Sequence, residues 1–442
     1  MFLARLLVLF SLVCISCAHS SFEQKQLKHA LDFAASNRLE LEILLQHYTY
    51  DSLKLEAAKF LIRNMPHCYS YQQGGEMDSV KRVRTYYSPF GQIDQTYARR
   101  WGHYTYRNLP KIYDAHIITA EYLIDNIDRA FDNWQKRPWN RSLSFEDFCE
   151  YLLPYRIGDE PLEEWRELYE KKYGYLLDSI YKGGDVVEAA NLVSRHLQEP
   201  VFIYCEDFEL PHIGPRYLFS HRYGSCVDAA DIVTYAFRAV GIPCMEDTDA
   251  RGGHVWNVVR DTTGRDVPIW YIASEAVRGS RDTGGYKRGK VYRPMYGFQE
   301  EKAAHLGDDW KSVPLLFYHP YMKDVSYAYY PDTLRILTGI PDGEVCYLAH
   351  FHEAHWWSCA CARSASGKME IPNLESELVY LPMKYTKSNY YPSDFPFWFA
   401  GGEINTFLPD WEKTVKVRLY RKYPVYGWLR SFMGHVVGGT FE

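Results

Sequence analysis

A cysteine at the start of a predicted helix is the feature of this 442-residue sequence that points most directly to covalent chemistry. Cys226 follows Tyr223-Gly224-Ser225, and apolar residues then recur at helical spacing until Gly241-Ile242-Pro243 ends the pattern. Backbone N–H groups and the positive end of the helix dipole favour thiolate over thiol at such a position. The same N–H groups can hold an oxyanion. Cys226 is therefore predicted to be a nucleophile.

A cysteine in this setting is, taken alone, more often a buried apolar residue, so the case depends on a partner. His254 follows 28 residues later and can accept the thiol proton. It directly precedes Val255 to Val259, where apolar and polar residues alternate as in a strand. The chain is then predicted to turn at Asp261 to Gly264. His254 is expected at the start of this hairpin.

A third group should orient the imidazole, as in other nucleophile–base pairs. The returning strand is predicted from Val267 to Ile272 and on to Glu275. Ser274 and Glu275 are its candidate orienting residues. Because side chains alternate along a strand, only one of the two can face His254, and the count from Trp270 favours Ser274.

Two motifs of this sequence resemble the transglutaminase-like family. The first is Gly224-x-Cys226, which opens a helix that ends in Gly241-Ile242-Pro243. The second is Gly253-His254-x-Trp256. The resemblance covers about residues 190–280. It implies a papain-like α+β core, with the cysteine at a helix N-terminus packed on an antiparallel sheet, and a Cys-His-Asp triad. Members of the family form a thioester with a peptide or protein amide and pass the acyl group to an amine or to water.

The sequence departs from the family at the acid of the triad. Ser274 and Glu275 stand where the resemblance implies an aspartate, so either Glu275 replaces it or the site lacks an acid. Tyr223 and Trp256 are candidate substrate-binding residues, although packing explains Trp256 better than chemistry does.

The N-terminus is predicted to direct export. A basic start is followed by an apolar run from Leu6 to Val13, which is too short to span a bilayer. Cys14-Ile15-Ser16-Cys17 then resembles a bacterial lipoprotein signal covering residues 1–17, with Cys17 as the lipidated residue. Because Cys14 stands where leucine is usual, a plain signal peptide cleaved nearby stays open. The expected location is the cell envelope, with a lipid anchor on the outer membrane or its periplasmic face.

The residue pattern divides the rest of the chain into three regions, and the predicted fold class is α+β. Residues 18–155 are predicted to be helical, and Ser144 begins one of these helices as an N-cap. Residues 156–305 hold the Cys-His core. Residues 306–442 contain short β-branched and aromatic runs between turn signals, which predict an all-β domain of sandwich type. The proposed strands of this domain are listed here: Ser326–Tyr330, Arg335–Leu337, Val345–His352, Val379–Met383 and Val415–Tyr420.

The whole chain also resembles the exported transglutaminase-like lipoproteins of gut Bacteroidetes. These have a similar helical N-terminus, here residues 57–66, and a segment matching Leu153-Pro154-Tyr155-Arg156.

Other constellations predict no metal or cofactor. His350 and His352 share one face of a strand as a zinc pair would, but no third ligand with metal-site context appears nearby. Cys359 and Cys361 have the wrong spacing for a zinc or redox pair. The eight cysteines after residue 17 are irregularly spaced, and we interpret most of them as buried apolar residues rather than a disulfide framework.

Composition limits the partners. Fifty basic against 56 acidic residues give a net charge of −6, so no electrostatic footprint for nucleic acid exists. An aromatic cluster in the C-terminal region could form a glycan platform or a β-domain core. Its members are Tyr390, Tyr391, Phe395, Phe397, Trp398 and Phe399.

The sequence thus predicts an exported cysteine acyl-transfer enzyme acting on peptide or protein amides. Hydrolysis is favoured over cross-linking, because water is the abundant acceptor outside the cell and no calcium loop of the EF-hand type is evident. The alternative is a non-catalytic surface lipoprotein of the same fold that binds peptide or glycan.

Overall fold

The computed structural model describes residues 22–84, 96, 100–101, 104–205, 210–250, 253–272, 274–281, 284, 287–299, 315–337, 339–352, 355–386, 389–410 and 412. The predicted signal peptide with Cys17 and the predicted strand Val415–Tyr420 lie outside these residues.

The helices within these residues are α1 (22–33), α2 (Arg38–His47), α3 (Ser52–Asn64), α4 (Glu76–Arg84), α5 (Ala120–Lys136), α6 (Phe145–Tyr151), α7 (Arg166–Tyr175), α8 (Val186–His196), α9 (Pro215–Ser220), α10 (Cys226–Val240) and α11 (Leu315–Tyr318).

The strands are β1 (Tyr69–Tyr71), β2 (Lys111–Tyr113), β3 (Ile203–Tyr204), β4 (Tyr223–Gly224), β5 (Cys244–Asp249), β6 (Val255–Arg260), β7 (Asp266–Ile269), β8 (Val291–Pro294), β9 (Met322–Asp324), β10 (Asp332–Leu337), β11 (Val345–His352), β12 (His355–Arg363), β13 (Lys368–Leu374), β14 (Leu378–Thr386), β15 (Asn389–Pro392), β16 (Phe397–Ala400) and β17 (Glu403–Thr406).

The N-terminal helices form their own apolar core, centred on Leu41, Leu61 and Phe131. Side-chain oxygens cap these helices at their starts, where backbone N–H groups have no helical acceptor. The Ser144 hydroxyl accepts from the Asp147 N–H at 3.0 Å, which confirms the predicted N-cap of α6.

A five-stranded antiparallel sheet follows, in the order β7-β6-β5-β8-β9. Helix α10 packs on one face of it, where Ile232 and Tyr235 meet Val259 and Ile269 in the largest core of the chain. The other face buries Trp256 with Val258 and Val291.

The C-terminal strands build a second antiparallel sheet in the order β12-β11-β14-β16-β17, with β15 added on β14. The β10–β13 pair covers one face of this sheet, where Leu334 and Met369 pack against Leu348 and Phe399. The predicted α+β class is confirmed in this mixture of helices and antiparallel sheets.

One predicted strand of this region is wrong. Ser326–Ala328 is a 3₁₀ helix rather than the start of a strand, because Asp324 accepts from the Ser326 N–H at 3.0 Å and turns the chain after β9. Of the helices described, none combines the length and apolar character needed to cross a membrane.

Candidate active site

Cys226 is the first residue of α10, as predicted, and is nearly buried. The Asp228 carboxylate accepts from the Ser225 backbone N–H at 2.7 Å and from the Ser225 hydroxyl at 3.1 Å. Arg84 from α4 donates to the same carboxylate at 3.0 Å, and both side chains are about 4% exposed. A buried cap with a compensating cation therefore holds the turn that carries Cys226. Sequence reasoning missed this cap, although Ser-x-x-Asp before an apolar run is its signature.

Gly224 makes this turn possible. A Cβ on Gly224 would lie 2.3 Å from an Asp228 carboxylate oxygen, closer than any side chain tolerates. The glycine lets the cap fold back over the chain just before Cys226.

Asn257 fixes α10 against the sheet. Its amide nitrogen donates to the Ala230 carbonyl at 3.0 Å and to the Thr234 hydroxyl at 2.9 Å. One turn further along α10, the Arg238 guanidinium donates to the carbonyl of Cys244, and Cys244 pairs with Val259 of β6. Helix and strand β6 therefore run in the same direction, and their first residues lie at the same end.

His254 immediately precedes β6, so it lies at the end of the sheet where Cys226 begins α10. The predicted place of His254 at the start of the hairpin is confirmed. Its ring stacks on Trp256 with centroids 5.7 Å apart and planes 24° apart. A Cβ on Gly284 would lie 3.3 Å from His254 Nε2 and 3.2 Å from the Trp270 ring, so both rings pack close to this glycine.

Tyr271 links the two candidate residues. Burial raises the pKa of Tyr271, and the charge of the nearby Cys226 thiolate raises it further. Trp270, the preceding residue, lies beside Gly284 and His254, and its ring centroid is 5.7 Å from that of Tyr271. Sequence reasoning did not single out Tyr271, whose hydroxyl could serve as a donor near Cys226.

The predicted strand through Ser274 and Glu275 is wrong, because β7 ends at Ile269. After that point, side chains of helix α8 hydrogen-bond to the backbone. The Ser194 hydroxyl donates to the Ile272 carbonyl at 3.0 Å, and Asn191 makes two hydrogen bonds with the backbone of Ala276. The chain thus leaves the sheet, so the alternation argument for the third group no longer applies.

The side chains of both candidates have other partners. Ser274 accepts from the Tyr271 N–H at 3.1 Å and donates to the Tyr271 carbonyl at 2.9 Å, which closes a turn. Glu275 pairs with Arg195 at 2.8 Å on the surface, where both side chains are more than half exposed. Neither residue occupies the orienting position that the sequence suggested.

The acid nearest to His254 along the sheet is Asp249, at the end of β5. Thr248 pairs with Val255, and the next position of this register joins the Asp249 N–H to the His254 carbonyl at 3.4 Å. Asp249 is fully buried. The available sequence signal was the run Glu246-Asp247-Thr248-Asp249, since three acids on one buried strand all require partners.

The two predicted substrate-binding residues are both in packed surroundings. Trp256 is fully buried and donates to the Tyr329 hydroxyl at 2.9 Å, so packing accounts for it, and its contact with substrate stays a prediction. Tyr223 is half-buried against the cluster of Val80, Val83 and Cys205, and its role stays a prediction.

The eight cysteines from Cys68 to Cys361 are free thiols in the structure, and all but Cys361 are buried, as expected for apolar packing residues. Burial raises the pKa of Cys68 and Cys244 to about 12 and that of Cys346 to about 11. Cys361 is the one half-buried member of this set. Most of these thiols are therefore chemically quiet at neutral pH.

The C-terminal aromatic cluster is divided between core and surface. Phe397 and Phe399 are core residues, whereas Tyr391, Phe395 and Trp398 are about 40% exposed. His350 is fully buried on β11, and its ring centroid lies 6.3 Å from that of His352. Within the described part of the chain, no group of three or more His, Cys, Asp or Glu residues could hold a metal ion.

A cavity of about 590 Å³ lies at the opposite end of β6. It is lined by Arg260, Arg293, Tyr151, Glu150 and residues of α3, most of them charged. Since β6 runs from Val255, next to His254, to Arg260, the whole strand separates this cavity from Cys226.

No family model, no curated protein and no solved structure matches this chain. The resemblance drawn from its motifs remains a prediction.

Proposed function

We propose that this protein is a transglutaminase-like cysteine enzyme with a papain-like core, acting on peptide or protein amides. The observation that carries the proposal is that Cys226 begins α10 and His254 immediately precedes β6, at the same end of one helix–sheet unit. A nucleophile–base pair needs this placement before any further group matters. The C-terminal sheets are proposed to form the sandwich-type domain of the same architecture.

In the proposed reaction His254 accepts the proton of the Cys226 thiol. The thiolate then attacks the carbonyl carbon, forming a C–S bond while N–H groups at the start of α10 hold the oxyanion. The C–N bond breaks, the amine leaves with the proton from His254, and a thioester remains. Water next attacks the thioester, which yields a carboxylic acid and regenerates the thiol. Hydrolysis is proposed over transfer to an amine, because water is the abundant acceptor outside the cell.

Tyr271 is proposed as an additional donor at this site. Its phenol is close enough to Cys226 for the thiolate charge to raise its pKa, and with that raised pKa it stays protonated at neutral pH. It can therefore donate to the thiolate or to the developing oxyanion.

A bifunctional haloketone tests the central pair. Such a reagent alkylates a thiolate first and then an imidazole beside it, and mass spectrometry identifies the bridged peptides. We expect a Cys226–His254 cross-link in the full chain. We also expect the protein to release ammonia or an amine from carboxamide peptides, and Cys226→Ala should abolish this release. Alkylation of Cys226 without bridging to His254, together with no amide turnover, would refute the proposal.

The alternative is a non-catalytic surface lipoprotein that binds peptide or glycan. An exposed row on the C-terminal sheet favours it: register pairs Trp356 with Phe351 and Val379 with Trp398 on neighbouring strands, and Phe351 and Trp398 are 49% and 38% exposed. Flat aromatic rings in a row suit sugar faces. If Cys226→Ala and Trp398→Ala are compared, loss of glycan or peptide binding only in Trp398→Ala would support this alternative.

Both functions assume export. The lipid anchor at Cys17 and the envelope location are part of the proposal, and metabolic labelling with a fatty acid, compared between the native chain and Cys17→Ala, tests them.

A further inference from the structure

Asp249 brackets the loop that leads into His254. One carboxylate oxygen, Oδ1, accepts from the Gly253 backbone N–H at 2.9 Å. The hydroxyl of Thr248 and the N–H of Asp249 both donate to the His254 carbonyl, at 3.0 and 3.4 Å. The backbone on both sides of His254 is therefore held from the end of β5.

The other oxygen of Asp249, Oδ2, accepts from Arg288 Nη1 at 3.2 Å, and both side chains are fully buried. The Arg288 guanidinium lies 5.5 Å from the centre of the Trp256 ring, on which His254 stacks. Arg288 Nη2 and His254 Nε2 are both within 4 Å of the point that a Gly284 Cβ would occupy. The ion pair thus faces the imidazole at close range.

The C-terminal domain anchors this arginine. The Glu375 carboxylate, in the turn between β13 and β14, accepts from the backbone N–H of Arg288 and, at 2.9 Å, from that of Gly289. Gly289 has φ +74°, and a Cβ there would lie 2.5 Å from the His350 ring. The segment that carries Arg288 is consequently fitted against the β domain.

We propose that the buried Asp249–Arg288 pair, anchored by Glu375, positions His254 and sets its charge, taking over the orienting part that Ser274 and Glu275 do not play. This inference rests on the proposed function. Asp249 and Arg288 are positioning residues, since they act on the imidazole rather than on substrate. The acid comes from the strand preceding His254, and its charge is balanced by an arginine of the same face.

Opposite charges near one imidazole have opposite effects. The Asp249 carboxylate stabilises imidazolium, while the Arg288 guanidinium disfavours it. Among the described residues, the other titratable groups near this end of the sheet include Cys226 on α10, Tyr271 after β7, and Tyr330 and Glu375 beside the ion pair. Because the ion pair is fully buried, water screens its charges little.

The test is an NMR titration that follows the His254 ring signal against pH in the full chain, with ¹³C-labelled histidine. The His254 signal is identified by its absence in His254→Asn. Asp249→Asn can keep the hydrogen bond to Gly253 but removes the negative charge, so the titration midpoint should fall by about one pH unit. Arg288→Gln should raise the midpoint. The double variant Asp249→Asn/Arg288→Gln should return it close to the native position.

Asp247→Asn is the matched control. Asp247 is also a fully buried acid of β5, paired with Arg293 at 2.6 and 3.0 Å, but it lies two residues before Asp249 and pairs in register with Trp256 rather than beside His254. Its loss should lower stability and leave the His254 midpoint nearly unchanged. Midpoints in Asp249→Asn and Arg288→Gln that move no more than in Asp247→Asn, or move in one common direction, would overturn the proposal.

Two further measurements keep the test decisive. If the single variants do not fold, the charge-neutral double variant should alkylate Cys226 about tenfold more slowly than native, whereas Asp247→Asn/Arg293→Gln should not. Equal rates in both double variants would overturn the proposal. If native Cys226 reacts no faster than Cys361, the proposed enzyme function fails, and the His254 titration still decides the role of the ion pair.

Discussion

At the scale of single residues, Cys226 should differ from the other thiols in its reactivity. Burial raises the pKa of five others: Cys68, Cys149, Cys244, Cys346 and Cys359. These stay protonated until the pH approaches their raised values, about 11 for Cys346 and about 12 for Cys68. Between pH 7 and 8, iodoacetamide should label Cys226 at least about tenfold faster than half-buried Cys361. Peptide mass spectrometry over time measures both rates, and comparable rates would make Cys226 a packing residue.

Gly284 should be needed for the imidazole to keep its place. Its φ of +91° already disfavours a side chain, and a Cβ would press on His254 Nε2 and on the Trp270 ring at about the closest tolerable distance. Gly284→Ala is expected to slow Cys226 alkylation roughly tenfold or more, because small misplacements of a base are costly.

Gly279→Ala is the control, since Gly279 has a similar φ of +80° with nothing within 4 Å of its Cβ position. Both variants should lose about 1 kcal/mol of unfolding free energy. Equal alkylation rates in the two would show that the space beside His254 is unimportant.

At the scale of elements, the cap of α10 is more than an ordinary helix start. Asp228→Ala removes the acceptor for two Ser225 donors and leaves Arg84 buried without its carboxylate. We expect a loss of about 3 kcal/mol or more in urea unfolding. Ser144→Ala, which removes the more exposed cap of α6, should cost about 1 kcal/mol. A loss in Asp228→Ala no larger than in Ser144→Ala would contradict this role for the ion pair.

At the scale of the whole molecule, a histidine joins the N-terminal helices to the segment before β9. The His67 ring stacks on Tyr321 with centroids 3.5 Å apart, and burial lowers the pKa of His67 to about 3. The unfolded chain takes up this proton near pH 6.5, so stability from His67 is complete above that pH and is lost progressively down to about pH 3.

His67→Phe should keep the ring contact. It should reduce the slope of the unfolding free energy against pH by up to about 1 kcal/mol per pH unit between pH 6 and 4. Chemical unfolding at several pH values measures the slope. His116→Phe, at an exposed histidine stacked on Phe33, is the control and should leave the slope as in the native chain. An unchanged slope in His67→Phe would mean that this histidine is protonated in the folded protein.

The local patterns of the chain determined the elements that carry the candidate site. The bounds of α10 follow from apolar spacing and from Gly241, whose φ of +82° ends the helix, and the turn at Asp261 to Gly264 follows from its own side chains. Hydrogen bonds between near neighbours decide such features, so the sequence alone contains them.

The surroundings of His254 were decided only by the tertiary structure. Helix α8 draws Ser274 and Glu275 off the sheet, and the acid beside His254 instead comes from β5. Asp249 is paired with a residue 39 positions away, and the anchor of that residue lies another 87 positions along the chain. A buried charge needs an oppositely charged partner, and only the tertiary fold decides which distant residue lies close enough to pair with it. Residue spacing and periodicity along the sequence do not contain this information.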